Sequence, residues 1–221
     1  MLDRYLERFE RKLGKFAVER LMLYIVIGMA LVYAADFILA FKPDNRIFIQ
    51  EHLAFNIQAI KQGEVWRVIS FLLIPPFAGH PFFMIFELYF LLIFGDSLEH
   101  QWGSLKFNVF YLIGTVSTII VGLILGFASN TYLNLSLFLA FAIVFPNYEV
   151  WLFFVLPVKV KWMGMLDAIL LIVLFIAGNW SVRLMILVAF ANIILFFGRK
   201  AFGEVYYTIR RYYYKWFRMR K

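Results

Sequence analysis

Few side chains in this sequence are of types that do chemistry. Cysteine is absent, which excludes disulfides, thiolate chemistry and cysteine-based metal sites. The three histidines are His52, His80 and His100. The hydroxyl groups of interest are those of Ser129, Thr131 and Ser136. Because a hydroxyl is a weak nucleophile without a base beside it, catalysis here would need a nearby histidine. We expect no metal site and no cofactor.

Three acidic residues lie within or at the edges of apolar stretches: Asp36, Glu87 and Asp167. An ionisable group at membrane depth is costly and usually faces other helices or water. Asp36 and Asp167 lie near the ends of their stretches, so we expect both to reach the membrane interface. Glu87 lies in the middle of its stretch. Three roles are open for Glu87: a hydrogen-bonded structural acid, a polar contact for a partner helix, or part of a proton relay.

The elements that position these side chains are membrane-spanning helices. Of the 221 residues, 63% are hydrophobic and only 16% are charged, and the mean hydropathy is +0.79. A soluble domain has about 45–50% apolar and about 25% charged residues, so the composition excludes a soluble globular protein. A helix that spans the membrane needs about 20 apolar residues, which leaves room for six or seven helices and no separate soluble domain.

Apolar runs between polar breaks predict an all-α, polytopic integral membrane protein with six transmembrane helices. The runs are residues 21–41, 80–95, 107–128, 132–145, 162–178 and 182–198. Run 132–145 is short, so the bilayer should thin there unless neighbouring helices shield its ends. Two further runs, residues 66–77 and 151–158, are too short to cross. The first contains Pro75 and Pro76, and we expect it to lie in the interface or to dip back into the protein.

The basic residues predict the orientation of the chain. Residues 1–20 form a basic segment, residues 21–198 the membrane domain, and residues 199–221 a basic aromatic tail. With both termini cytoplasmic, 17 of the 22 basic residues lie inside and five outside. The first run is long enough to span, so we expect a signal anchor rather than a cleaved signal peptide. The predicted location is the inner or plasma membrane.

The tail sequence IRRYYYKWFRMRK has two readings. Aromatic and basic side chains together can bind single-stranded nucleic acid. Beside a transmembrane helix, the same composition is more typical of an aromatic belt with affinity for anionic lipid. We expect anionic lipid at the basic tails and no nucleic acid.

Three segments, taken together, resemble the rhomboid superfamily of intramembrane proteases. They are GEVWRVISFLL (63–73), FGDSLEHQWGSLKFNVFYLIG (94–114) and LAFAIVFPNYEVWLFFVLPVKVKW (139–162). The first contains the loop motif Trp66 and Arg67, and the second contains the second-helix motif Gly95, Glu99 and Gly103. The resemblance covers residues 21–198. It implies that Trp66 and Arg67 hold the first helices together, with interfacial anchoring as the alternative, and that Glu99 and Gly103 cap and pack the second helix.

The residues that rhomboid proteases use for catalysis are missing. Counting along the motifs places the nucleophile position near Thr131, between Asn130 and Tyr132, where the family has glycines. No histidine follows His100, so no base lies in the last three spans. The auxiliary oxyanion positions fall on Phe83 and Glu87, and a carboxylate would repel an oxyanion. The resemblance therefore implies a non-proteolytic, derlin-like member that is not an enzyme.

Such a member is expected to bind transmembrane segments of client membrane proteins and to influence their stability, assembly or trafficking. Glu87 is the possible client contact. The alternatives are an intramembrane serine peptidase with a non-standard nucleophile among Ser129, Thr131 and Ser136, and a small transporter or lipid scramblase. The sequence leaves the oligomeric state open.

Overall fold

The structure is a computed structural model that describes residues 17–41, 48–76, 81–152 and 156–197. Most of these residues are helical. The helices, in chain order, are α1 (Leu21–Ala40), α2 (Ile49–Leu53), α3 (Ile57–Lys61), α4 (Arg67–Ser70), α5 (Pro81–Trp102), α6 (Ser104–Leu125), α7 (Thr131–Val144), α8 (Val160–Ala177) and α9 (Trp180–Phe197). The predicted basic segment before residue 17, the basic tail after residue 198 and His80 lie outside the described residues.

In the part of the chain that the structure describes, five helices are long and apolar enough to cross a membrane: α1, α5, α6, α8 and α9. The chain is therefore a multi-pass membrane protein. The sixth apolar run forms α7, whose 14 residues extend only about 21 Å at 1.5 Å per residue. That is less than the roughly 30 Å of hydrocarbon in a bilayer. Six apolar helices form where six were predicted, and five of them have the length of a membrane span, whereas α7 is shorter.

Helix α7 is enclosed by the other helices. Leu137, Ala140 and Phe141 are fully buried, and the ring of Phe141 lies 4.7 Å from that of Phe94 on α5. Phe94 also contacts the ring of Phe138. A helix too short to span is thus held in the core by aromatic packing rather than by lipid.

The segment between α1 and α5 forms three short helices and a 3-10 turn, Phe71–Leu73. Phe71 and Leu72 are buried, and Phe71 contacts Phe55 edge to face. The Nδ2 atom of Asn130 donates to the carbonyl oxygens of Leu72 and Ile74, at 3.1 and 2.8 Å. This run therefore packs against the protein through Phe71 and Leu72, while Trp66 and Ile69 stay exposed.

Two small antiparallel sheets depart from a purely helical fold. Strand β1 (Phe55–Asn56) pairs with β2 (Phe127–Ala128), which ties the first loop to the end of α6. Strands β3 (Glu149–Leu152) and β4 (Leu156–Lys159) form a hairpin between α7 and α8. The described residues of the short apolar run at 151–158 therefore pair as strands and form no membrane-spanning helix, as the length of the run predicted.

Helix α5 continues past the apolar run that ends at residue 95 and reaches Trp102, just before Gly103 of the second-helix motif. The acids in its last turns have partners: Arg20 Nε lies 3.9 Å from Asp96 Oδ1, and the backbone N–H of Arg20 donates to Glu99. Glu87 is the seventh of the 22 residues of α5 and lies near the middle of its apolar part.

Candidate functional site

A cavity of about 430 Å³ lies between α5, α7 and the start of α8. Its wall is almost entirely apolar and aromatic. The lining residues are Pro76, Phe83, Glu87, Phe90, Leu91, Phe94, Thr131, Asn134, Leu135, Phe138 and Met163. Since ligand pockets typically measure about 300–1,000 Å³ and carry a few polar groups on apolar walls, this cavity is the candidate site.

Three polar side chains line this cavity. Glu87 is half-buried on α5, and Thr131 is the first residue of α7. Asn134, one turn further along α7, is only 7% exposed. Neither amide atom of Asn134 has a hydrogen-bond partner among the residues that the structure describes. A buried amide without partners costs about 1–3 kcal/mol, so Asn134 gains from any group that enters and bonds it.

The structure brings together the three positions that counting from the motifs assigned to degenerate protease residues. Phe83, Glu87 and Thr131 all line the cavity. The backbone of Asn130, just before Thr131, has φ −78° and ψ −5°, which any residue adopts. Helix α7 thus begins without the glycine-dependent turn that would expose a nucleophile.

The hydroxyls of Ser129 and Thr131 bond to each other, with the two oxygens 2.8 Å apart. Both groups are half-buried near the start of α7. Among the described residues no hydrogen bond joins either hydroxyl to a histidine. His52 is an exposed residue of α2, and His100 lies in the last turn of α5. The Nδ1 atom of His100 pairs with the carbonyl oxygen of Asp96, at 2.8 Å.

Ser136 is the hydroxyl that contacts the last helix. Its Oγ donates to the carbonyl oxygen of Leu133 at 2.7 Å and accepts from the Nδ2 of Asn192 at 3.3 Å. Both side chains are buried, with Ser136 fully enclosed. Asn192 was not predicted as a site residue. In the sequence it is only an amide within an apolar run, and its partner Ser136 lies 56 residues away.

Trp66 and Arg67 organise the first loop. Arg67 is buried, and its Nη1 donates to the carbonyl oxygens of Glu51 and Ala54 at 2.6 and 2.9 Å. Its Nε pairs with the carboxylate of Glu64 at 2.5 Å. Trp66 is half-exposed and donates from Nε1 to the backbone. Of the loop motif, Arg67 is therefore a buried residue that bonds the loop backbone, whereas Trp66 has an exposed ring.

Gly95, Glu99 and Gly103 join three helices at one end of the bundle. A Cβ on Gly95 would lie 2.5 Å from the Cβ of Met22, so α1 and α5 approach closely there. One oxygen of Glu99 accepts from the backbone N–H of Arg20 and from Ser104 Oγ, each at 2.7 Å. Gly103 has φ +83°, which favours glycine and allows α6 to begin directly after α5.

Asp36 lies near the end of α1, where that helix meets the first loop. Asp36 is only 5% exposed, and its two oxygens accept from the backbone N–H groups of Ile49 and Gln50, at 2.5 and 3.2 Å. It is buried because it caps the start of α2. Asp167 is half-buried in α8. No group of three His, Asp or Glu suited to a metal ion occurs among the described residues.

Comparisons with known proteins give no relative for this chain. No family model, no curated protein and no solved structure matches it.

Proposed function

We propose that this chain is a rhomboid-like membrane protein without peptidase activity that binds transmembrane segments of client membrane proteins. Through that binding it influences their stability, assembly or trafficking. Its partners are integral membrane clients, with anionic lipid at the basic tails. It resides in the inner or plasma membrane with both termini cytoplasmic.

The observation that carries this proposal is the chemistry of the cavity. Aromatic and aliphatic walls suit the apolar side chains of a transmembrane helix. Within those walls, Glu87, Thr131 and Asn134 offer a carboxyl, a hydroxyl and an amide. In hydrocarbon, a polar side chain on a client helix has no water to bond, so contact with these groups is favourable. The cavity thus favours helices that are mostly apolar and carry one polar residue.

The surroundings of Ser136 support the absence of peptidase activity. A serine nucleophile needs a base that takes its proton. The group facing Ser136 from α9 is the Asn192 amide, which donates a hydrogen bond to the hydroxyl and does not accept a proton at neutral pH. Ser129 and Thr131 bond only to each other and to nearby backbone. None of the three hydroxyls has a base beside it among the described residues.

Site-specific photocrosslinking tests the proposal with a defined probe. A photoreactive residue replaces Leu135 in the cavity wall, or Ile172, which is 52% exposed on α8 and serves as the matched control. The probe is a 20-residue Leu/Ala transmembrane helix with a single central Gln. We expect capture at position 135 and little at position 172. Equal capture at both positions would mean random collision in the membrane and would refute the proposal.

A further inference from the structure

A second groove, of about 310 Å³, lies on a different face of α7, between α7, α8 and α9. It shares no lining residue with the cavity of the proposed function. Each helix contributes residues from one of its faces. They are Leu139, Ala142 and Ile143 from α7, Lys161, Gly164, Met165 and Ala168 from α8, and Phe190 and Ile193 from α9.

Small residues form the floor of this groove. A Cβ on Gly164 would lie 2.6 Å from the Cβ of Ala142, so α7 and α8 are almost in backbone contact there. Ala168 follows one turn later on the same face of α8. Because these side chains are short, the space beside them stays open as a narrow apolar channel.

Lys161 is the one charged residue among those that line the groove. It lies in the first turn of α8, at the end of the bundle with the β3–β4 hairpin. Its Nζ lies 5.3 Å from the ring centroid of Trp162, and no carboxylate pairs with it among the described residues. An apolar channel that ends in an unneutralised cation matches an amphiphile with an anionic head.

We infer that this groove binds one acyl chain of an anionic phospholipid, with the lipid phosphate on Lys161. Apart from Lys161 the groove is lined by apolar side chains, so a hydrocarbon chain can lie along it with its headgroup at the Lys161 end. With cytoplasmic termini, Lys161 faces the leaflet that carries the anionic lipids.

Native mass spectrometry of the full chain tests this inference with two lipids that share their acyl chains, phosphatidylglycerol and phosphatidylcholine. We expect the wild type to retain phosphatidylglycerol preferentially. Lys161→Gln should lower that retention about fivefold, the factor for one basic residue at an anionic surface. Lys159→Gln, at an exposed site outside the groove, should leave it unchanged. Ala168→Phe, which fills the groove, should lower retention of both lipids.

Four outcomes would overturn the inference. They are equal retention of the two lipids by the wild type, equal losses for Lys161→Gln and Lys159→Gln, full retention by Ala168→Phe, and displacement of the lipid by glycerol 3-phosphate. The last would indicate a site for free phosphate esters rather than for lipid. Lys161→Arg keeps the charge and should retain the lipid. For Lys161→Gln and Ala168→Phe, the melting temperature separates a binding defect from misfolding.

Discussion

The Nδ2 atom of Asn192 lies 3.3 Å from the Oγ of Ser136, which joins α9 to the centre of the bundle. The other amide atom, Oδ1, has no partner among the described residues. A Cβ on Gly114 would lie 2.8 Å from the same Nδ2, so α6 also packs against this pair. Ser136 therefore has a structural role: it holds α7 and α9 together.

Ser136→Ala should therefore lower stability without changing any activity. The change leaves the buried Asn192 amide without its hydrogen-bond partner, a loss of about 1–3 kcal/mol. Thermal unfolding in detergent measures the effect. Ser129→Ala is the control: its hydroxyl is only half-buried, so the loss should be smaller.

The wild type and the triple variant Ser129→Ala, Thr131→Ala, Ser136→Ala should be equally unreactive toward a fluorophosphonate probe. Covalent labelling needs an activated hydroxyl, and none of the three has a base. Wild-type labelling that disappears in the triple variant would show an active peptidase.

Two glycines on neighbouring helices should differ in how much stability they lose when replaced by alanine. Gly95→Ala places a Cβ 2.5 Å from the Cβ of Met22, which cannot move without its helix, so we expect a loss of about 1–3 kcal/mol. In Gly28→Ala the nearest atom is the end of the flexible Leu73 side chain, at 2.7 Å. Higher helix propensity, worth up to about 1 kcal/mol, then offsets the crowding. Equal melting temperatures for the two variants would contradict this account of the α1–α5 contact.

Arg67→Lys should loosen the first loop. A lysine keeps the charge but lacks the forked donors that bond two carbonyl oxygens and a carboxylate together. Each buried carbonyl left without a donor costs about 1–3 kcal/mol. Limited trypsin digestion at Lys61 reports the opening. Arg183→Lys is the control, since Arg183 also bonds two carbonyls but in an exposed position, and it should change little.

Single cysteines test the predicted topology, because the chain has no native cysteine. Lys15→Cys, Lys61→Cys, His100→Cys and Lys215→Cys should react with an impermeant thiol reagent in intact cells only at position 61. His100 is exposed, and it avoids the strain that a cysteine would meet at Gly103, where φ is +83°. External labelling at position 215 would contradict cytoplasmic termini.

The apolar runs predicted the places of the helices well, because each span must satisfy its backbone polar groups internally. The run in α5 stopped at residue 95, since Asp96 and Glu99 read as a polar boundary, and only the second-helix motif extended the helix to Gly103. In the fold, Arg20 and Ser104 bond these two acids. The contact of Arg20 with Glu99 joins residues 79 positions apart, so a short stretch of sequence does not reveal it.

The polar groups of the core were harder to predict than the apolar ones. Asn130 bonds carbonyls more than 50 residues earlier in the chain, and Asn192 bonds a serine 56 residues earlier. Within an apolar run, an asparagine gives no indication of its partner. Phe83, Glu87 and Thr131, which the sequence resemblance singled out on two different helices, line one cavity.

Glu87 provides the sharpest test of the cavity. It is half-buried, so it does not face lipid as an isolated charge. Were it lipid-facing, Glu87→Leu should raise stability, because a central acid costs about 2–3 kcal/mol to insert. In the cavity wall, the same change removes a polar group from the neighbourhood of Thr131 and Asn134. We therefore expect Glu87→Leu to lower the melting temperature in detergent and Glu87→Gln, which keeps the hydrogen-bonding shape, to change it less.

Client binding adds a separate requirement on the same residue. Glu87→Gln should remain folded and yet capture less of the Gln-bearing probe helix at position 135, because a neutral amide bonds the probe more weakly than a carboxylate does. Phe82→Leu on the same helix, 46% exposed and outside the cavity lining, is the matched control and should capture normally. Unchanged capture with Glu87→Gln would make Glu87 a structural acid only, and a rise in melting temperature with Glu87→Leu would place it on the lipid face.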